Sequence, residues 1–100
     1  MMTSRDHVVR SLTSLEDRLR AEGVTHMALF GSRARDDGRP ESDVDVVIDV
    51  RPDIRFSLID LVGVAQQIED AVDLPANVVM RRSLDRSFLA VVEREAVAIF

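Results

Sequence analysis

The stretch LFGSRARDDGRPESDVDVVID, residues 29–49, decides how this chain is read. An apolar run halts at Gly31-Ser32, a polar loop follows, and then two acids, Asp43 and Asp45, stand one residue apart at the head of the β-branched run VVIDV. A strand entering a core normally excludes carboxylates from its first residues. Alternate residues of a strand share a face, so Asp43 and Asp45 project together while Val44 and Val46 point the other way, into the core. Two carboxylates that close repel each other unless a proton or a cation lies between them. Hard divalent cations such as Mg2+ take oxygen ligands, commonly one or two carboxylates together with substrate phosphates. On spacing alone, a solvated strand entrance that only aids solubility is the alternative.

Gly31-Ser32 adds a second element. A glycine directly after a strand lets the backbone approach a ligand closely. The free amides of the helical turn that follows attract phosphate, and the Ser32 hydroxyl can donate to a phosphate oxygen. An ordinary strand-to-helix turn with a serine cap is the alternative here. Arg33 and Arg35 lie beside this place, suited to neutralise a phosphate or receive an acidic partner surface, unless they are solvated arginines on a helical turn. Arg39 extends the same basic loop; Arg81 and Arg82, just past the third strand, could likewise approach a ligand or partner, but a plain surface role ranks above that.

Outward from this stretch, Val8, Val9, Leu12, Leu15 and Leu19 recur at spacings of three and four and predict one amphipathic helix. Thr3 or Ser4 can cap it and Gly23 stops it. A strand is expected over 25–30, a polar loop over 36–42 and a buried strand over 43–50. A second helix follows over about 57–72, with Leu58, Leu61, Val62, Ala65, Ile68 and Val72 on one apolar face. NVVM, residues 77–80, reads as a third strand, with Met80, like Met27, in the core. A last helix runs from a Ser83 cap through Glu95, carrying Leu84, Phe88, Leu89 and Val92. The terminal AVAIF fits either a helix end or a short strand. Helices alternating with strands imply an α/β (α+β) domain, a small sheet with helices packed against it. With no repeat, linker or low-complexity segment, a single domain is expected over 1–100.

Composition narrows the function. The chain has 100 residues, 46% of them hydrophobic and only four aromatic, all Phe, which suits one aliphatic core. All 13 basic residues are Arg, and the net charge is −5. An acidic chain is a poor candidate for wrapping long nucleic acid, which needs a basic footprint. Without cysteine there is neither a disulfide framework nor a thiolate metal site. The first residues have no apolar signal region, and no run approaches the ~18 apolar residues of a membrane span, so a cytoplasmic protein is expected. Asp43-x-Asp45 does not open an EF-hand, because Val47 and Ile48 stand where an oxygen ligand and a glycine are needed. Neither GxxxxGK[ST] nor GxGxxG is present. His7 and His26 are isolated and read as surface or packing residues.

Residues 29–49 closely resemble the signature of the nucleotidyltransferase superfamily typified by DNA polymerase beta, a Gly-Ser after one strand and a D-x-D on the next. With GSRAR, a short loop and SDVDVV in so short a chain, the sequence looks like the minimal nucleotidyltransferases. These are the antitoxin partners of HEPN ribonuclease toxins in prokaryotic two-gene modules, and the resemblance spans essentially the whole chain. It implies the DNA polymerase beta-like fold, with a small mixed sheet. It also implies that Gly31 and Ser32 contact the triphosphate of a bound nucleotide, with Arg33 and Arg35 beside it. Asp43 and Asp45 become the catalytic pair, binding Mg2+ that bridges the triphosphate. In active relatives the reaction is transfer of AMP from ATP to a hydroxyl of the toxin, which silences it.

One position departs from the pattern. Active relatives carry a third carboxylate on the strand that corresponds to NVVM, and alignment of the apolar strand positions sets Asn77 in its place. An amide cannot act as a base at neutral pH or balance a second Mg2+. Asp73 is the nearest upstream acid, but Pro75 and Ala76 intervene before the strand. Two expectations therefore stand side by side: an adenylyltransferase antitoxin, and an antitoxin-like module that binds nucleotide or toxin without chemistry. Transfer to a small molecule or RNA is a third. So short a chain has no room for a separate acceptor domain, and acceptor recognition would then fall to a second protein or another copy of the chain.

Overall fold

Along the second strand, Val44, Val46 and Ile48 are completely buried in one core cluster, while Val47 is completely buried in another. Period-two alternation has thus produced a strand covered on both faces. A computed structural model describes residues 4–35 and 42–100 of the chain. Its elements are α1 (Arg5–Thr13), α2 (Glu16–Ala21), β1 (Val24–Phe30), α3 (Ser32–Arg35), β2 (Val44–Val50), α4 (Leu58–Val72), β3 (Ala76–Met80), α5 (Arg86–Glu95) and β4 (Val97–Ala98), with a 3-10 turn at Arg81–Ser83 between β3 and α5. The four strands form one mixed sheet in the order β3-β2-β1-β4. β2 and β3 run parallel, joined through α4, and the pairs β1–β2 and β1–β4 are antiparallel. This is the expected α/β (α+β) architecture, and the terminal apolar segment resolves into an edge strand.

The larger core cluster joins Val8 and Leu12 of α1, Leu19 of α2, and Val64, Ile68 and Val72 of α4 to one face of the sheet. On the other face Ala28, Phe30 and Val47 meet Val92 of α5. Phe88 closes edge-on against Phe30, ring centroids 6.2 Å apart. Arg81 fastens α5 from the other side, donating to Asp49 at 3.1 Å and to Glu93 at 2.7 Å. α5 thus covers the middle of this face, and Asp45 and Asn77 lie on the same face by strand parity.

Three local expectations are corrected. The first helix is two helices: the chain turns at Ser14 and Leu15, and Ser14 spends its hydroxyl on the Ser11 carbonyl at 2.6 Å, a local bond that competes with helix continuation. Ser4 is the cap, accepting the His7 amide. The buried stripe of α4 is Val64, Ile68 and Val72, whereas Leu58 and Val62 are 75% and 60% exposed. Asp85, not Ser83, caps α5, its carboxylate accepting the Phe88 amide at 2.8 Å. Met27 is buried in the core and Met80 packs against it. Both histidines are exposed. Of the predicted polar loop only Ser42 is among the described residues; Arg39 lies outside them. Among the described residues no helix is long and apolar enough to cross a membrane.

Candidate functional site

The ladder lines up Phe30, Asp45 and Asn77 across three neighbouring strands, because Asp45 pairs with Phe30 on β1 and with Asn77 on β3. Asp43 stands immediately before β2, where the backbone of Val44 donates to Pro75 at 2.9 Å and ties the strand entrance to the start of β3. The Asn77 amide nitrogen donates to Asp43 Oδ2 and to Asp45 Oδ1, both at 3.0 Å. An NH2 group has two protons and meets two carboxylates, so the mutual repulsion of the acids is relieved by hydrogen bonds from a neutral group. Asp45 is half-buried and Asp43 exposed, which leaves the pair open to a ligand from the solvent side.

Gly31 rests against Asp45 of this pair. It has φ +76°, a conformation that disfavours any side chain, and a Cβ built on it would lie 2.6 Å from Asp45 Oδ2. Its carbonyl accepts the amides of Ala34 at 3.1 Å and Arg35 at 3.2 Å, closing the single turn of α3 that Ser32 begins. The Gly31-Ser32 turn and the Asp43/Asp45 pair are thus neighbours in space, as the sequence pattern requires of a shared site.

The two arginines of this turn have different surroundings. Arg33 is only 4% exposed, and its Nε and Nη2 donate to the Ser42 carbonyl at 3.3 and 2.9 Å, tying α3 to the residue before Asp43. Arg35 is half-exposed and donates from Nη1 to Glu95 Oε1 at 2.7 Å. The second oxygen of Glu95 accepts the Gly31 amide at 3.3 Å. No sequence motif marks Glu95; it reaches the site because β4 pairs with β1. Arg81, expected as a plain surface residue, is instead partly buried in the α5 anchorage, and Asp73 caps α4 in the left-handed conformation with φ 59°.

The donor set suits a divalent cation that arrives with phosphates. Among the described residues no three His, Cys, Asp or Glu side chains gather into a metal-holding group. Two carboxylates and an amide do gather, and rotation of the Asn77 amide would turn its carbonyl oxygen toward the acids. Hard-cation chemistry accepts such a set when substrate oxygens complete it.

Comparison with known proteins shows the family of the chain. A family model described as a nucleotidyltransferase domain matches residues 12–99. The protein adenylyltransferase MntA of Thermococcus cleftensis is 29% identical over 99 residues, covering 98% of each chain. Among solved structures, a toxin–antitoxin crystal structure with AMP-PNP superimposes with a TM-score of 0.75 at 20% identity, over 92% of this chain and 72% of the other. A tri-AMPylated Shewanella oneidensis HEPN toxin in complex with an MNT antitoxin gives 0.70 at 18% identity, over 96% of this chain and 71% of the other. Those two likenesses bear on the fold. The matched span takes in the Gly31-Ser32 turn, the Asp43/Asp45 pair and Asn77, and the chain belongs to the nucleotidyltransferase domain family.

Proposed function

We propose that this chain is a nucleotidyltransferase-type antitoxin that binds Mg-ATP and transfers AMP to a hydroxyl of a HEPN toxin, neutralising it. The observation that supports this reading is the close approach of Gly31 to Asp45, which puts the Gly31-Ser32 turn, suited to receive phosphates, beside a carboxylate suited to receive a cation. Likeness to an adenylyltransferase over nearly the whole chain supports the reaction class. The tri-AMPylated toxin seen beside a structural relative supports the acceptor.

In this reading Asp43 and Asp45 hold the cation, and the Ser32 hydroxyl donates to a phosphate oxygen. Bound Mg2+ supplies neutralisation of the charge that develops on the triphosphate. Gly31, lacking a side chain, lets the phosphates lie against the backbone beside Asp45. The acceptor hydroxyl oxygen bonds to the α-phosphorus while the bond to the β-phosphate oxygen breaks, so AMP stays on the acceptor and pyrophosphate leaves. The hydroxyl proton passes to solvent or to a group of the acceptor, because Asn77 cannot take it. General-base catalysis is commonly worth about 10²–10⁴-fold, and transfer is expected to be slow by a factor of that order.

Asn77 favours a second reading, in which the chain neutralises its partner by contact and holds nucleotide without transferring it. Intact mass of the HEPN partner after incubation with this chain, ATP and Mg2+ separates the two. A gain of one or more AMP units supports transfer. Neutralisation with no gain in mass, and with ATP still bound, supports contact alone.

A further inference from the structure

Glu95 is the last residue of α5, and the chain passes through Ala96 directly into β4. β4 pairs antiparallel with β1, Leu29 opposite Val97 and Ala28 opposite Ala98. Continued outward, that register brings Glu95 level with Gly31. The side chain confirms the alignment, for Oε2 accepts the Gly31 amide at 3.3 Å and Oε1 accepts Arg35 Nη1 at 2.7 Å. One carboxylate therefore grips both ends of α3, whose four residues follow Gly31. At its Cα Gly31 has no slack either, since a single added carbon would meet Asp45 Oδ2 at 2.6 Å.

From this we infer that Glu95 is a positioning residue, which clamps the Gly31-Ser32 turn against Asp45 so that phosphates on the turn and a cation on the carboxylates are held in one register. The inference rests on the Mg-ATP reading above. Glu95 touches neither nucleotide nor cation in this account; it acts through Gly31 and Arg35. Preorganised donors raise affinity because less ordering remains to be done on binding. The β4 edge strand acquires a purpose by the same token, as the element that delivers the clamp.

The test measures Mg-ATP binding by calorimetry on the full chain and on three variants, with melting temperatures in parallel. Glu95→Gln keeps an acceptor for the Gly31 amide but loses the charge that holds Arg35, and should weaken binding about five- to tenfold. Glu95→Ala loses both contacts and should weaken it further. Glu93→Gln is the control, because it breaks another α5 ion pair, with Arg81 at 2.7 Å. It should leave affinity within about twofold. A merely structural role for Glu95 would lower all melting temperatures alike without that order of affinities, and would overturn the inference. Tighter binding by Glu95→Gln would also overturn it, showing a carboxylate that competes with phosphate. Binding by the unmodified chain with no change in Glu95→Gln sinks this inference alone. Failure of the unmodified chain to bind Mg-ATP sinks the nucleotide reading and the inference with it.

Discussion

Asn77 stands opposite Asp45 in the parallel β2–β3 ladder, and its amide nitrogen lies 3.0 Å from Asp45 Oδ1. An acid in that position would face two others. Replacement Asn77→Asp should therefore raise AMP transfer by at least about 10²-fold, the lower end of what a general base supplies. Without Mg2+ the same variant should melt lower than the unmodified chain, because a third carboxylate then replaces the amide that donates to the other two. Mg2+ should recover the difference. Intact-mass kinetics and melting curves with and without Mg2+ check both halves. A variant that melts lower but transfers no faster would mean that a missing base is not what limits the reaction.

Asp45→Asn removes one of two cation ligands while leaving a side chain of the same shape. Mg-ATP binding should fall by an order of magnitude or more, and AMP transfer should fall below detection. Asp45 is only half-buried, so the fold should survive, with a far-UV circular dichroism spectrum like that of the unmodified chain. Unchanged transfer by this variant would refute the assignment of the site.

Gly31→Ala tests the contact between turn and carboxylate. The residue has φ +76° and the new methyl group would sit 2.6 Å from Asp45 Oδ2. A non-glycine residue held in that region costs on the order of 1–3 kcal/mol, and each kcal/mol lowers Tm by roughly 4–8 °C in a domain of this size. Because the methyl group displaces Asp45 as well, Mg-ATP binding should weaken together with stability. A variant with lowered Tm but full affinity would separate the turn from the site.

How far the sequence reveals this molecule depends on the range over which each feature is encoded. The Asp43/Asp45 pair and the Gly31 turn follow from strand alternation and turn chemistry, which are local quantities, whereas the level of Asn77 comes from the family resemblance and rests on the pairing of β3 with β2. The buried stripe of α4 does not follow locally either. Leu58, Ile59 and Val62 are as apolar as the buried Val64 and Ile68, yet they are exposed, since Asp60 is the one polar side chain over residues 58–65 and the pattern there does not say which side meets the core. Arg33 misleads for another reason: its charge suggests solvent, but the guanidinium is buried and donates to the Ser42 carbonyl. Glu95 lies 64 positions from Gly31, and only the pairing of β4 with β1 brings the two together.

The start of α4 offers a pH-dependent test that is independent of nucleotide. Ser57 and Asp60 form a reciprocal cap, Asp60 Oδ2 accepting the Ser57 amide at 2.8 Å and its hydroxyl at 2.9 Å. The Ser57 backbone N–H, and after it the hydroxyl, hold the Asp60 carboxyl below its ordinary range. A carboxyl lowered on folding contributes stability that is fully present above its unfolded value of about 4 and is lost as pH falls through the folded value. The Tm difference between the unmodified chain and Asp60→Asn should thus be largest above about pH 5 and shrink on acidification. A gap that stays constant down to about pH 2 would contradict the charged cap.

Arg33 and Arg35 are both candidates for nucleotide contact, and their surroundings predict unequal consequences of losing them. Arg33→Met removes a buried guanidinium and strips the Ser42 carbonyl of two hydrogen bonds. Hydrogen bonds to charged groups are worth about 1.5–3 kcal/mol, so a loss of stability of that order is expected. Arg33→Lys should recover only part of it, since a point charge cannot reproduce a fork that meets one carbonyl with two nitrogens. Arg35→Met removes a half-exposed ion pair with Glu95, and exposed pairs contribute about 0.2–1 kcal/mol; its stability loss should be the smaller, and its effect should fall on Mg-ATP affinity through the clamp. Denaturant midpoints and calorimetric affinities for the three variants measure both quantities. An Arg33→Met chain as stable as the unmodified one, yet unable to bind Mg-ATP, would return Arg33 to the role of a phosphate ligand.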